Sequence, residues 1–158
     1  MSDDDLIARL LARIGELESL EAIRSLTFDY CHGFDKRDYD RFMAIWWEDC
    51  VWDIGNPFGC FEGHSGIDRA LHDILWPAWD ETLHLCGNNR IAFLDPQHAS
   101  SECDVQCGGR LAGDAEATMV GASYSDQLQR RNGLWKIAKR QVTIHYFNSV
   151  PGLVLSKP

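Results

Sequence analysis

The chain has 158 residues, 45% of them hydrophobic and 11% aromatic, with 24 acidic side chains against 15 basic ones and a formal charge of −9. That length and composition predict one domain over 1–158 with its own core, and the acidic balance excludes a nucleic-acid binder or a polybasic membrane-surface protein. No run approaches the ~20 apolar residues that span a bilayer. The start of the chain is acidic and polar rather than a secretory signal, so the expected location is the cytoplasm. Six cysteines at 31, 50, 60, 86, 103 and 107 contain no Cys-x-x-Cys and no companion cluster for zinc. They read as small buried hydrophobes.

The first third reads as helix. Leu6, Leu10, Ile14, Leu17, Leu20, Ile23, Leu26, Tyr30 and Phe34 recur at three- and four-residue spacing, the pattern of one amphipathic stripe. Its length suggests a break near residues 15–19. The first twenty residues are amphipathic enough to pack on a neighbour. Asp38 can cap a second helix over 39–47. A short strand follows at 50–54, then a loop at Asn56, Pro57 and Gly59. A third helix runs over 65–76 and stops at Pro77. Strands are expected over 82–93, 100–111, 118–130 and 134–147. Asp95-Pro96, Gly113-Asp114 and Asn132-Gly133 separate them, the last a strong hairpin signal. Helices followed by an antiparallel meander predict an α+β fold, with helices packed on one face of a curved sheet around an apolar pocket.

Against that layout, a few polar residues stand where apolar ones are expected. His84 shares a strand face with Thr82 and Cys86. An imidazole is a competent base near neutral pH when a carboxylate fixes its tautomer. Asp35 is the candidate partner, because it ends the long helix where a solvated carboxylate is unfavourable. Tyr30 lies on the apolar stripe and can aim its hydroxyl into the same pocket. Arg140 sits mid-strand, and Asp104, also mid-strand, is a candidate carboxylate for it; alternation alone does not fix the inward face of either strand. His64 and His72 read as surface residues. No phosphate loop, dinucleotide fingerprint, nucleophile elbow or His-Glu-x-x-His motif is present. The expectation is chemistry without a cofactor or metal.

Several blocks carry a more specific resemblance. Gly33-Phe34-Asp35-Lys36-Arg37, Ile45-Trp46-Trp47-Glu48-Asp49-Cys50-Val51-Trp52, Leu75-Trp76-Pro77, Glu81-Thr82-Leu83-His84, Arg130-Arg131-Asn132-Gly133-Leu134-Trp135 and Tyr146-Phe147 resemble the hexachlorocyclohexane dehydrochlorinases. These belong to the SnoaL-like branch of the NTF2-like superfamily, with scytalone dehydratase and the bile-acid 7α-dehydratases. The resemblance runs from about Ile23 to the C-terminus. It implies an NTF2-like cone around a deep pocket, a homotrimer, and a cofactor-independent lyase acting on a small cyclic apolar substrate. It also implies a catalytic dyad at His84 and Asp35, a pocket tryptophan at Trp52 and a strand arginine at Arg140. Where the dehydrochlorinases carry a lysine five residues before the dyad aspartate, this chain has Tyr30, as the bile-acid dehydratases do. Asp104 is the counterpart of the latter's middle-strand aspartate, a substrate-binding position.

A departing chloride benefits from nearby positive charge, whereas a departing hydroxide needs a proton that a phenol can supply. Tyr30 therefore shifts the expectation toward dehydration. Alternative readings are a ketosteroid-type isomerase and a ligand-binding domain without catalysis. The tail from Val150 to Pro158 is expected to help shape the pocket.

Overall fold

The computed structural model describes residues 2–155; Ser156, Lys157 and Pro158 of the expected pocket tail lie outside the described residues. Helix α1, Asp3–Asp35, is continuous, without the expected break at 15–19. Ser2 caps it: its hydroxyl accepts from the Asp5 N–H at 3.2 Å, and the Asp5 carboxylate accepts from the Ser2 N–H at 3.0 Å. This reciprocal pair satisfies donors that the first turn leaves open. Asp3, Asp4 and Asp5 complement the positive end of the helix.

The stripe read along α1 is two stripes. From Ile14 through Leu17, Leu20, Ile23 and Leu26 every step is three residues, and each step falls about 60° short of a full turn. The apolar face therefore walks round the helix. Ile23, Tyr30 and Phe34 are buried, whereas Leu6, Leu10, Ile14 and Leu17 are exposed.

Asp38 caps α2 as expected, accepting from the Arg41 N–H at 3.2 Å. The helix is shorter than expected, Tyr39–Ala44, because Trp46 and Trp47 already belong to the first strand. α2 lies hard against α1. A Cβ at Gly33 would stand 2.9 Å from the Phe42 backbone, so the glycine that weakens the helix is what lets α2 pack. Strand β1, Trp46–Gly55, turns into β2, Gly59–Glu62. The third helix begins as α3, Gly63–Arg69, and continues as a π-helical turn, Ala70–Leu75. The Trp76 N–H reaches back to the Leu71 carbonyl at 2.9 Å before Pro77 ends the run.

Strands β3, Trp79–Asp95, β4, His98–Leu111, β5, Glu116–Arg131, and β6, Leu134–Val154, follow. Asn132 and Gly133 both take positive φ, 52° and 84°, the two-residue hairpin the sequence signals. The sheet is curved and unclosed, in the order β2-β1-β6-β5-β4-β3. It is not wholly antiparallel. β1 runs parallel to β6, with Trp52 beside Arg140. Such a pair needs a long crossover, here everything from β2 to β5. No described helix is long and apolar enough to cross a membrane.

Candidate active site

The concave face of the sheet and the second half of α1 enclose a cavity walled by Tyr30, Phe34, Trp52, Val105, Tyr124 and Phe147, among others. His84 and Thr82 also line it, because alternate β3 residues share a face. Leu83 and Leu85 point the other way and are exposed. Phe147 contributes from β6, while residues 151–154 beyond it are exposed.

Asp35 meets His84 at the cavity wall. His84 Nδ1 lies 2.6 Å from Asp35 Oδ1, the His84 backbone N–H donates to Oδ2 at 2.7 Å, and the Thr82 hydroxyl donates to Oδ1 at 2.8 Å. The carboxylate is thus gripped by three donors from one strand, and the two side chains are 8% and 9% exposed. Burial pushes the Asp35 carboxyl up, but the bonds from His84 and Thr82 outweigh it and the net shift is downward. An ionised Asp35 opposite Nδ1 keeps the neutral-state proton on Nδ1 and leaves the lone pair on Nε2. Imidazole and carboxylate come from positions 49 residues apart, brought together where α1 ends over β3.

Beside the dyad, the Tyr30 ring stands edge-on to His84, with centroids 6.1 Å apart, and edge-on to Trp52 at 6.0 Å. Burial raises the Tyr30 phenol well above its ordinary range, against an opposing pull from the Arg140 charge and the Tyr124 hydroxyl. Tyr30 is therefore a neutral hydrogen-bond donor across the working pH range. The Tyr124 hydroxyl approaches that of Tyr30 at 3.5 Å. Burial raises the Tyr124 phenol too.

Arg140 is fully buried but does not wall the cavity. Its guanidinium is layered against the rings of Tyr30 and Tyr124, 4.3 Å and 4.4 Å from their centroids. Burial works against its charge; Asp126 overrides this and holds it protonated. The pair is bidentate, Nε to Oδ1 at 2.8 Å and Nη2 to Oδ2 at 2.7 Å. This corrects the expected pairing with Asp104. Cys103, Val105 and Cys107 take the inward positions of β4 and place Asp104 on the opposite face. There it accepts from Asn88 at 3.1 Å and from Ser123 at 3.0 Å, away from the dyad cavity. Arg140 Nη1 has no partner among the described residues, nor does the indole N–H of Trp52.

Sequence reading missed Thr82 as a carboxylate donor, Tyr124 as the second phenol and Asp126 as the arginine's partner. Thr82 had a signal, two residues before His84 on the same face. Asp126 and Tyr124 share one face of β5 in the same way. His64 is only half-buried, its Nε2 3.2 Å from the Trp46 carbonyl, whereas His72 is exposed as expected and pairs with Asp68. Cys31, Cys50, Cys103 and Cys107 are buried, Cys86 is half-buried, and Cys60 departs from the expectation by being exposed. Burial pushes the Cys107 thiol up to about 12, far from the thiolate that reactivity requires. No cluster of His, Cys, Asp or Glu among the described residues could hold a metal ion.

The helical layer, the curved sheet and a cavity with a buried His–carboxylate pair define a class of cone-shaped α+β proteins. The chain belongs to the SnoaL-like domain family, which matches residues 15–141. Hexachlorocyclohexane dehydrochlorinase 1 of Sphingobium indicum is 31% identical over 148 residues, covering 94% of this chain and 96% of that one. The crystal structure of LinA, a protein 30% identical, superposes with a TM-score of 0.89 over 92% of this chain and 99% of the other. An NTF2-like protein with a cystatin-like fold from Novosphingobium aromaticivorans, at 21% identity and a TM-score of 0.76, covers 91% of this chain and 92% of its own. It shares the fold.

Proposed function

We propose that the protein is a lyase that eliminates HX from a small, cyclic, apolar substrate without a cofactor, with chloride as X in the first reading. The buried His84–Asp35 pair at the wall of an aromatic cavity carries this reading. The relatives named as dehydrochlorinases support the reaction type.

His84 Nε2 takes the proton from a ring carbon. The C–H electron pair becomes the new C=C bond, and X leaves the adjacent carbon with its own bonding pair. Asp35 orients the imidazole and stabilises the imidazolium that forms. Trp52 supplies a flat apolar wall and an unpartnered N–H. The Tyr30 hydroxyl, which accepts from Tyr124 at 3.5 Å, donates to the negative charge that develops on X. Arg140 acts through the two tyrosines: its charge lies against both rings and makes each phenol a stronger donor. Asp104 has no part in this step.

A second reading, loss of water, rests on Tyr30. A protonated phenol beside the base can hydrogen-bond to departing hydroxide and hand it a proton. Purified protein without added metal or cofactor, offered hexachlorocyclohexane and a hydroxysteroid with an acidified β-hydrogen, distinguishes the two. Chloride release that disappears in His84→Ala supports the first reading. Dehydration alone, lost in the same variant, supports the second. Either activity surviving His84→Ala overturns the mechanism.

A further inference from the structure

The first half of α1 makes no use of its apolar side chains within the chain. Leu6, Ile7, Leu10, Leu11, Ile14 and Leu17 are 44–63% exposed. This is not the core face frayed at its end. At about 100° per residue, the exposed set centres roughly 160° around the helix from Ile23, Tyr30 and Phe34. α1 therefore carries a second apolar face, directed away from the domain, over about three turns.

Its spacing is specific. Ile7, Leu10, Ile14 and Leu17 are separated by three, four and three residues, the a and d positions of two heptads with Ile at a and Leu at d. The flanks then follow. Leu6 and Arg13 fall at g, Leu11 and Glu18 at e. In a parallel, in-register pairing each g position meets the e position five residues later on the neighbouring helix. Leu6 then meets Leu11, and Arg13 meets Glu18. Apolar flank faces apolar flank, and positive faces negative. An antiparallel pairing sets g against g and e against e, and offers no such match. In the next heptad Glu21 and Arg24 occupy a and d, and the seam ends where Ser19 and Ile23 turn into the domain.

We propose that residues 6–18 are an association surface for further copies of this chain, joined as a parallel, in-register coiled coil with Arg13 of each helix paired to Glu18 of the next. The exposed Arg13–Glu16 pair at 2.6 Å is the contact that Arg13 exchanges on association. Surface pairs of this kind contribute little, so the exchange meets little resistance. The charges fix orientation and register. A pair, or the homotrimer that the resemblance implies, can close around such a seam, and the dyad plays no part in it.

The test is solution mass by light scattering at tens of micromolar, with far-UV circular dichroism to confirm folding. The wild type is expected above the monomer mass of 17.9 kDa, and the Leu10→Asp/Ile14→Asp double variant below the wild type. Arg13→Glu and Glu18→Arg each place like charges across the seam, so each alone weakens association. An equimolar mixture of those two, or the double swap in one chain, restores it. A monomeric wild type overturns the proposal. So does an unchanged mass in the Leu10/Ile14 variant, or a charge swap that fails to restore what the single changes removed.

Discussion

The chain holds two His–Asp pairs of nearly the same length in very different surroundings. His84 and Asp35 are 2.6 Å apart with side chains 9% and 8% exposed; His98 and Asp95 are 2.8 Å apart at 48% and 50%. The second is local. Asp95 opens the turn between β3 and β4, accepts from the Gln97 N–H at 2.7 Å, and meets a histidine three residues on. The first closes a 49-residue loop and faces a cavity. Both carboxyls are shifted downward, but by different balances. The Gln97 backbone bond does most for Asp95, with His98 adding to it and water on every side. Asp35 first has burial to overcome. Chemical identity does not distinguish the two pairs; their surroundings do. One is buried at a cavity wall, its carboxylate held by Thr82 as well as His84, and the other stands in an exposed turn.

Parallel substitutions in the two pairs test that difference. His84→Ala is expected to lower kcat/KM for elimination by roughly a hundred- to ten-thousandfold, the usual contribution of a general base, while His98→Ala leaves it unchanged. Asp35→Asn keeps the size but loses the charge that fixes the tautomer. A fall of roughly tenfold to a thousandfold is expected, against none for Asp95→Asn; both are read from initial rates of product release. Tyr30→Phe removes one hydroxyl and keeps the ring. A smaller loss, about three- to thirtyfold, is expected mainly in kcat if the phenol acts on the leaving group.

The smallest effect is on stability against pH. A carboxyl whose folded pKa lies below its unfolded value stabilises the fold above the unfolded value, about 3.9 for Asp. That stabilisation disappears as pH falls through the folded value. The urea midpoint of the wild type should therefore fall more steeply below about pH 4 than that of Asp35→Asn. Asp95→Asn should track the wild type closely, because an exposed pair is screened.

Most elements were readable from period and punctuation: four strands, their turns, and Asp38 as a cap. Asp35 was legible as a candidate partner of His84 because it ends a helix against the preference of its dipole; a catalytic dyad was what the family resemblance implied. The failures have physical sources. Along α1 repeated three-residue steps looked like one stripe but rotate by about half a turn between Ile14 and Ile23, so an exposed apolar face and a buried one were read as a single face. On β5, counting outward from the Asn132-Gly133 turn pairs Asp126 with Lys139. A bulge between Gln127 and Leu128 advances the register by one and gives Asp126 to Arg140. One residue of slip exchanges the faces of a strand, and no residue type at that position announces it. Asp104 was a different error. Cys103, Val105 and Cys107 alternate around it, and reading those three as inward would have placed it outside. The parallel pairing of β1 with β6 is a long-range choice that strand periodicity does not encode.

The most direct test follows the proton itself. Hexachlorocyclohexane and its ring-deuterated form would be compared for chloride release by the wild type and by His84→Ala. The expected result is a slower reaction of the deuterated ring with the wild type, showing C–H cleavage in the limiting step, and release by the variant slower by roughly a hundredfold or more. Release by His84→Ala at the wild-type rate, with either ring, would contradict a histidine base held by Asp35.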